Sequence, residues 1–128
     1  MRTPLLFLTL IFSALLFVID QIALKYNLYF STPWADIVTH ILGGAIIAGL
    51  AIYFSNRKTS TNLYSKRIWP ILGCSLFVGI FWEILEASTG MTSTGDKGYA
   101  IDTASDLFFD IFGSYLMYIF VKSIYGKR

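Results

Sequence analysis

Long apolar runs alternate with short polar connections along this chain, and the pattern predicts the fold. Four runs are apolar over roughly 18–20 residues, close to the ~20 that a helix needs to cross a hydrocarbon core about 30 Å thick. Inside lipid the backbone has no water to bind, so each run must satisfy its own polar groups as a helix. We predict an all-α, four-helix transmembrane bundle forming a single domain, residues 1–128, with helices over 5–24, 33–54, 68–87 and 104–124.

Composition agrees with an integral membrane protein. Hydrophobic residues make up 55% of the chain and charged residues only 14%, whereas a soluble domain carries about a quarter charged residues. The first run lacks a clear small-x-small cleavage site, so we interpret it as a spanning helix rather than a signal peptide. The lone Cys74 cannot form a disulfide within the chain. We find no phosphate-binding loop, paired-cysteine motif or nucleophile elbow, and we expect no nucleic-acid partner.

The basic residues predict the topology of the bundle. The connection between the second and third runs, SNRKTSTNLYSKR, carries four basic residues and no acid. Basic connections stay in the cytoplasm, and four spans then place both termini there as well. Eight of the ten basic residues fall on this side. We predict a multi-pass protein of the bacterial cytoplasmic (inner) membrane, in contact with membrane lipid.

Ionisable residues within the predicted spans lie near the outward ends of the helices. A rise of ~1.5 Å per residue places Asp20 and Glu83 each about 22 Å above the inner end of its helix. Such groups are costly in lipid and face the bundle interior or water. We therefore predict one outward-facing acidic pocket. The main candidates for catalysis or metal binding are His40, Glu83, Glu86, Asp106 and Asp110, with Asp20, Asp36 and Asp102 as secondary candidates.

Structural roles compete with site roles for several of these residues. Asp102 is placed to cap the fourth helix, and Thr103 with Asp106 has the spacing of a capping box. Asp36 in a first turn is favoured by the helix dipole, whereas Glu83 near the end of its helix is not.

Five further positions have simple packing or pairing explanations. Asp20 has Lys25 as a pairing partner, and His40 can be a satisfied packing histidine. Gly43, Gly44 and Gly113 are the small residues that allow close helix packing in membranes.

Several carboxylates with one histidine support three kinds of chemistry. They can bind a divalent cation, with Mg, Ca and Mn favouring oxygen ligands and Zn accepting histidine with carboxylates. They can work without metal, with His40 as a base beside carboxyl groups of altered pKa. They can also relay protons or bind a cationic solute. Because so many acids close together repel one another, either some of them are protonated or a cation is bound.

Three short motifs resemble the VanZ-like family of small bacterial membrane proteins, or a closely related group of uncharacterised inner-membrane proteins. They are Asp36-x-x-x-His40 at a helix start, Glu83-x-x-Glu86 at the end of the next helix, and Asp106-x-x-x-Asp110 followed by Gly113. Glu86 and Asp110 stand where the VanZ-like pattern has Gln and Asn, and no Lys follows Asp36. The resemblance implies a four-helix membrane core, an outward polar site and an envelope-related role, without an established reaction.

Two functional hypotheses follow, with a third as their alternative. The first is a metal- or acid-assisted enzyme that acts on a lipid or cell-envelope precursor. The second is a non-enzymatic protein that binds or transports a cation or a cationic solute. The third is an accessory envelope protein without chemistry of its own. The apolar inner halves of the helices argue against a path through the membrane.

Overall fold

The computed structural model describes residues 2–58 and 68–125. Within these residues the chain forms helices and no strand: α1 (Arg2–Lys25), α2 (Leu28–Ser31), α3 (Pro33–Lys58), α4 (Ile68–Thr89) and α5 (Tyr99–Tyr125). All but the short α2 are long and apolar enough to cross a membrane. The predicted all-α bundle with four spanning helices is confirmed. The basic connection that carries the topology argument lies mostly outside the described residues, at 59–67, so the cytoplasmic location of the termini stays a prediction.

Two features at the helix ends were not predicted. The short helix α2 follows Asn27, which adopts a left-handed conformation with φ of 56°. Helix α5 begins at Tyr99 rather than at 104, and its first amide hydrogen bonds go to the carbonyls of Asp96 and Gly98. Asp102 therefore lies in the first turn of α5 and is not its N-cap residue.

Helix α3 is the centre of the bundle, because it contacts all the other helices. Below the ionisable residues, α1, α3, α4 and α5 enclose an apolar core. Many large apolar side chains outside it are exposed, Phe7 and Phe77 among them, as expected where lipid covers the surface. The buried members of the core are Leu5, Ala45, Ala48, Ile52, Ile71, Met117, Tyr118 and Val121.

Helices α3 and α5 cross so closely that their backbones touch. A Cβ atom at Gly44 would overlap the carbonyl group of Asp110, and one at Gly113 would overlap the carbonyl group of Ile41. The Ser114 hydroxyl donates a hydrogen bond of 2.8 Å to the carbonyl oxygen of Gly44 across the same contact. The crossing depends on small residues, as in other membrane helix pairs, and it fixes the neighbouring ionisable side chains in place.

Candidate functional site

A buried histidine, His40, lies among three aspartates. Its Nδ1 atom is 3.2 Å from Oδ1 of Asp110. Its Nε2 atom is 3.6 Å from Oδ1 of Asp36 and 3.8 Å from Oδ1 of Asp106. His40, Asp106 and Asp110 are buried, and Asp36 is partly exposed. We call these four side chains the Asp–His centre.

Helical spacing explains why these four side chains meet. Asp36 and His40 are four residues apart on α3, and Asp106 and Asp110 are four residues apart on α5. Residues at this spacing share one face of a helix. The glycine-mediated crossing turns the two faces toward each other, so each helix contributes two members of the Asp–His centre.

The contact with Asp110 selects a tautomer for the neutral form of the His40 ring. An ionised carboxylate only accepts hydrogen bonds, so we assign the ring proton to Nδ1, which donates to Asp110. The Nε2 atom then presents a lone pair between Asp36 and Asp106. Metal-binding histidines commonly have this arrangement, in which a carboxylate holds the other ring nitrogen and orients the ring.

Helix α4 positions Asp110 from the opposite side. The Ser75 hydroxyl donates a hydrogen bond of 3.1 Å to the carbonyl oxygen of Asp110. One turn further along, Gly79 leaves space for the Asp110 carboxylate, because a Cβ atom there would overlap Oδ2. The sequence holds a signal for both residues in their spacing: Ser75, Gly79 and Glu83 are four apart, and they are buried on one stripe of α4.

Gly79→Ala is expected to disturb the Asp–His centre while leaving the fold intact. The added methyl group pushes the Asp110 carboxylate off His40 Nδ1 and removes the acceptor that orients the ring. Loss of such an orienting partner commonly weakens metal affinity by about 10–100-fold. The measurement is cation affinity of the purified protein. Gly73→Ala is the control, because nothing lies within 4 Å of a Cβ atom there; equal affinities of the two variants would contradict the role given to Gly79.

Glu83 is buried beside the Asp–His centre but does not belong to it. Its Oε2 atom accepts a hydrogen bond of 2.8 Å from the hydroxyl of Thr103 on α5. Its Oε1 atom is buried and has no hydrogen-bond partner. Thr103 thus contacts α4 instead of capping α5. It was missed as a site residue, because its spacing from Asp106 also fits a capping box.

The structure places the other predicted candidates outside the Asp–His centre. Glu86 accepts hydrogen bonds from Trp82, one turn earlier on α4, and from Thr92 in the connection after α4. Asp102 is exposed at the start of α5. Both residues were predicted to line one pocket with His40, but only the four members of the Asp–His centre and the adjacent Glu83 are brought together.

Asp20 has a separate partner in the short helix α2. It accepts a hydrogen bond of 2.7 Å from the hydroxyl of Tyr29, rather than pairing with Lys25, whose ammonium lies 5.6 Å from the ring centre of Tyr26. Burial and the hydrogen bond to Asp20 raise the pKa of the Tyr29 phenol above its usual value. Tyr29 therefore keeps its proton at neutral pH and acts as a donor that ties α2 to α1.

Three residues of the Asp–His centre have the chemistry and spacing of a metal site. Three ligand atoms lie within 4.8 Å of one another, one each from Asp36, His40 and Asp106. The separations of 3.6 and 3.8 Å from Nε2 to the two carboxylates are too long for hydrogen bonds. Two ligands at about 2.1 Å from a tetrahedral zinc ion are themselves roughly 3.4 Å apart. The three side chains can thus hold a divalent cation after small adjustments.

Comparison with known proteins provides a family without a described activity. A family model described as "Predicted membrane protein (DUF2238)" matches residues 1–127. No curated protein and no solved structure matches the chain.

Proposed function

We propose a function for a chain that belongs to the DUF2238 family of predicted membrane proteins: it binds a divalent cation in its Asp–His centre and uses that cation in an enzymatic reaction. Asp36, His40 and Asp106 would be the ligands, and the cation we propose is zinc, which accepts imidazole together with carboxylate ligands. The observation that carries the proposal is the gap between His40 Nε2 and the two carboxylates, which is too wide for hydrogen bonds and close to the ligand spacing around a metal ion.

The number of ligands supports an enzyme over a structural metal site. Structural zinc sites use four protein ligands, whereas catalytic sites use three and leave a position for water or substrate. A bound zinc ion lowers the pKa of its water toward neutrality and polarises a substrate oxygen. Asp110 would then orient His40 through Nδ1 and would not contact the metal. The substrate class we propose is a membrane lipid or cell-envelope precursor, because the surrounding helices expose their apolar faces to lipid.

A metal-free mechanism is the second candidate, and the same hydrogen bond between His40 and Asp110 favours it. A histidine held by a carboxylate at Nδ1 is the arrangement of a general base, with Nε2 free to accept a proton. A transport function has less support, since no charged side chain of the described residues is buried below the Asp–His centre, where the hydroxyls of Thr9, Ser75 and Ser114 donate to backbone carbonyl groups. The relation to the VanZ-like family remains a proposal that rests on the three motifs.

Cation binding by the purified full-length protein tests the proposal directly. We expect zinc to raise the thermal stability of the wild type after chelator treatment, with smaller effects from manganese, magnesium and calcium. A ligand at a hundredfold excess over its Kd stabilises the folded state by about 2.7 kcal/mol. Asp106→Asn is expected to lose this response, and Asp102→Asn, the same change one turn closer to the exposed start of α5, is expected to keep it.

The outcomes separate the two candidate functions. A wild type that responds to no metal would overturn the cation proposal and leave the histidine–aspartate base as the remaining function. Equal responses from Asp106→Asn and Asp102→Asn would place the cation elsewhere on the protein.

A further inference from the structure

A cleft between α4 and α5 opens beside the Asp–His centre. Its volume is about 530 Å³, which is in the range of pockets that hold small ligands. Ile80 and Ile84 on its apolar wall are strongly exposed, so the cleft opens on the surface that lipid covers. Its lining includes the apolar Ile80, Ile84 and Leu107 and the polar Glu83, Ser88 and Thr103.

Glu83 lines this cleft and has one unused, buried hydrogen-bond acceptor. The residue is only 6% exposed, and Oε1 has no donor although Oε2 accepts from Thr103. Buried polar atoms are nearly always hydrogen-bonded, and a buried carboxylate oxygen without a donor is costly. A ligand that brings its own donor removes that cost.

The charge around Glu83 selects the kind of donor. The charged groups that act on it include the carboxylates of Glu86 and Asp110 as well as His40, so acids predominate there. A headgroup with a net negative charge would be repelled, whereas a cationic N–H donor is attracted and makes a stronger hydrogen bond than a neutral donor. The lipid-facing wall of Ile80 and Ile84 suits the hydrocarbon chain of the same molecule.

We infer that this cleft binds a membrane lipid that carries a primary ammonium group, with the ammonium donating to Oε1 of Glu83 and an acyl chain lying along Ile80 and Ile84. Thr103 and Asp106 are neighbours on one face of α5, so the bound headgroup lies next to the Asp–His centre. The role of this lipid as a substrate rests on the proposed function, but its binding does not.

The inference is tested by measuring the thermal stability of the protein with lipids that carry three different headgroups. The purified full-length protein is unfolded in mixed micelles that contain phosphatidylethanolamine, phosphatidylcholine or phosphatidylglycerol with identical acyl chains. Phosphatidylcholine has a positive charge but no N–H donor, and phosphatidylglycerol has hydroxyl donors but a negative charge. We expect phosphatidylethanolamine to stabilise the wild type at about a tenfold lower concentration than either, the ratio that one charge-assisted hydrogen bond provides.

Two variants and a matched control locate the effect. Glu83→Gln is expected to lose the preference for phosphatidylethanolamine, whereas Glu86→Gln is expected to reduce it without abolishing it, because the Glu86 carboxylate contributes charge but already has donors in Trp82 and Thr92. Ile84→Trp fills the cleft from its exposed wall and is expected to lose the same preference with Glu83 intact. This second variant still tests the inference if Glu83→Gln does not fold.

The results distinguish this inference from the cation proposal. Equal stabilisation of the wild type by all three lipids, or a preference that survives in both Glu83→Gln and Ile84→Trp, would overturn the lipid site. The zinc response of the same preparations is measured by titration, as a result independent of the lipid preference. A zinc response without headgroup preference contradicts only the lipid inference, and a headgroup preference without any zinc response contradicts only the proposed function.

Discussion

Replacing His40 by alanine is expected to remove cation binding and to destabilise the protein more than any other single change in the Asp–His centre. His40 lies between three carboxylates, and two of them, Asp106 and Asp110, are buried. Without the imidazole, these acids face one another across a void, in surroundings where ionised groups are costly. Removing the donor of a buried hydrogen bond commonly costs about 1–3 kcal/mol, and more where the acceptor is charged. The free energy of unfolding in detergent, compared with that of the wild type, measures this loss.

A double substitution tests whether repulsion between the acids is the cause. Adding Asp110→Asn to His40→Ala removes one of the stranded carboxylates, so we expect the double variant to recover part of the lost stability while still failing to bind zinc. Neighbours that interact depart from additivity by about 0.5–3 kcal/mol. If the two losses of stability simply add, the side chains are not coupled, and the description of the Asp–His centre as one unit is wrong.

Gly44→Ala and Gly113→Ala are each expected to lower the stability of the bundle and to weaken the Asp–His centre at the same time. At both positions a Cβ atom would overlap a backbone carbonyl group of the opposing helix, and backbone cannot rotate away as a side chain can. Overpacking of this kind costs about 1–3 kcal/mol and occasionally more. Separation of α3 from α5 also moves His40 away from Asp110.

Thermal unfolding of these variants should be compared with that of Gly73→Ala. Gly73 lies on exposed α4 surface with no atom near its missing side chain, and alanine is a better helix former than glycine. This control should unfold at or above the wild-type temperature. Variants at Gly44 and Gly113 that unfold with the control would contradict the close crossing of α3 and α5.

The four spanning helices could be predicted from the sequence, because hydrophobicity over about 20 residues directly reflects the length that a membrane imposes. Which residues form the Asp–His centre could also be predicted in part. Two acid-containing pairs spaced four apart, Asp36 with His40 and Asp106 with Asp110, each have to share a helical face. Their assembly follows once the helices that carry them are neighbours.

The sequence predicts that α4 forms, but it does not predict how α4 is rotated about its own axis. Glu83 and Glu86 are three residues apart and were expected in the same pocket, yet Glu83 is buried while Glu86 turns to Trp82 and Thr92. Side chains three residues apart are rotated by about 300° around the helix axis, so they do not point in the same direction. Two such residues can therefore fall on either side of an interface. Hydropathy gives no information about this angle when most of the helix faces lipid.

The start of α5 was misplaced for a related reason. Residues 99–103 are mixed in polarity, and the hydrophobic signal begins only at Leu107. A helix that continues above the apolar layer has the same hydropathy as a loop there. The additional turn changes the role of Thr103, which reaches Glu83 across the helix interface.

The arrangement of the Asp–His centre also determines when it can form during synthesis of the chain. His40 and Asp36 belong to the second spanning helix, whereas Asp106 and Asp110 belong to the last. A chain emerges from its N-terminus, so the histidine is made before the two carboxylates that α5 contributes. Until α5 inserts, Gly44 faces an open groove and His40 has no Nδ1 acceptor from that helix. Completion of the last helix is therefore the event that closes the bundle and creates the proposed cation site, and partly made chains should be inert toward any cation that requires Asp106.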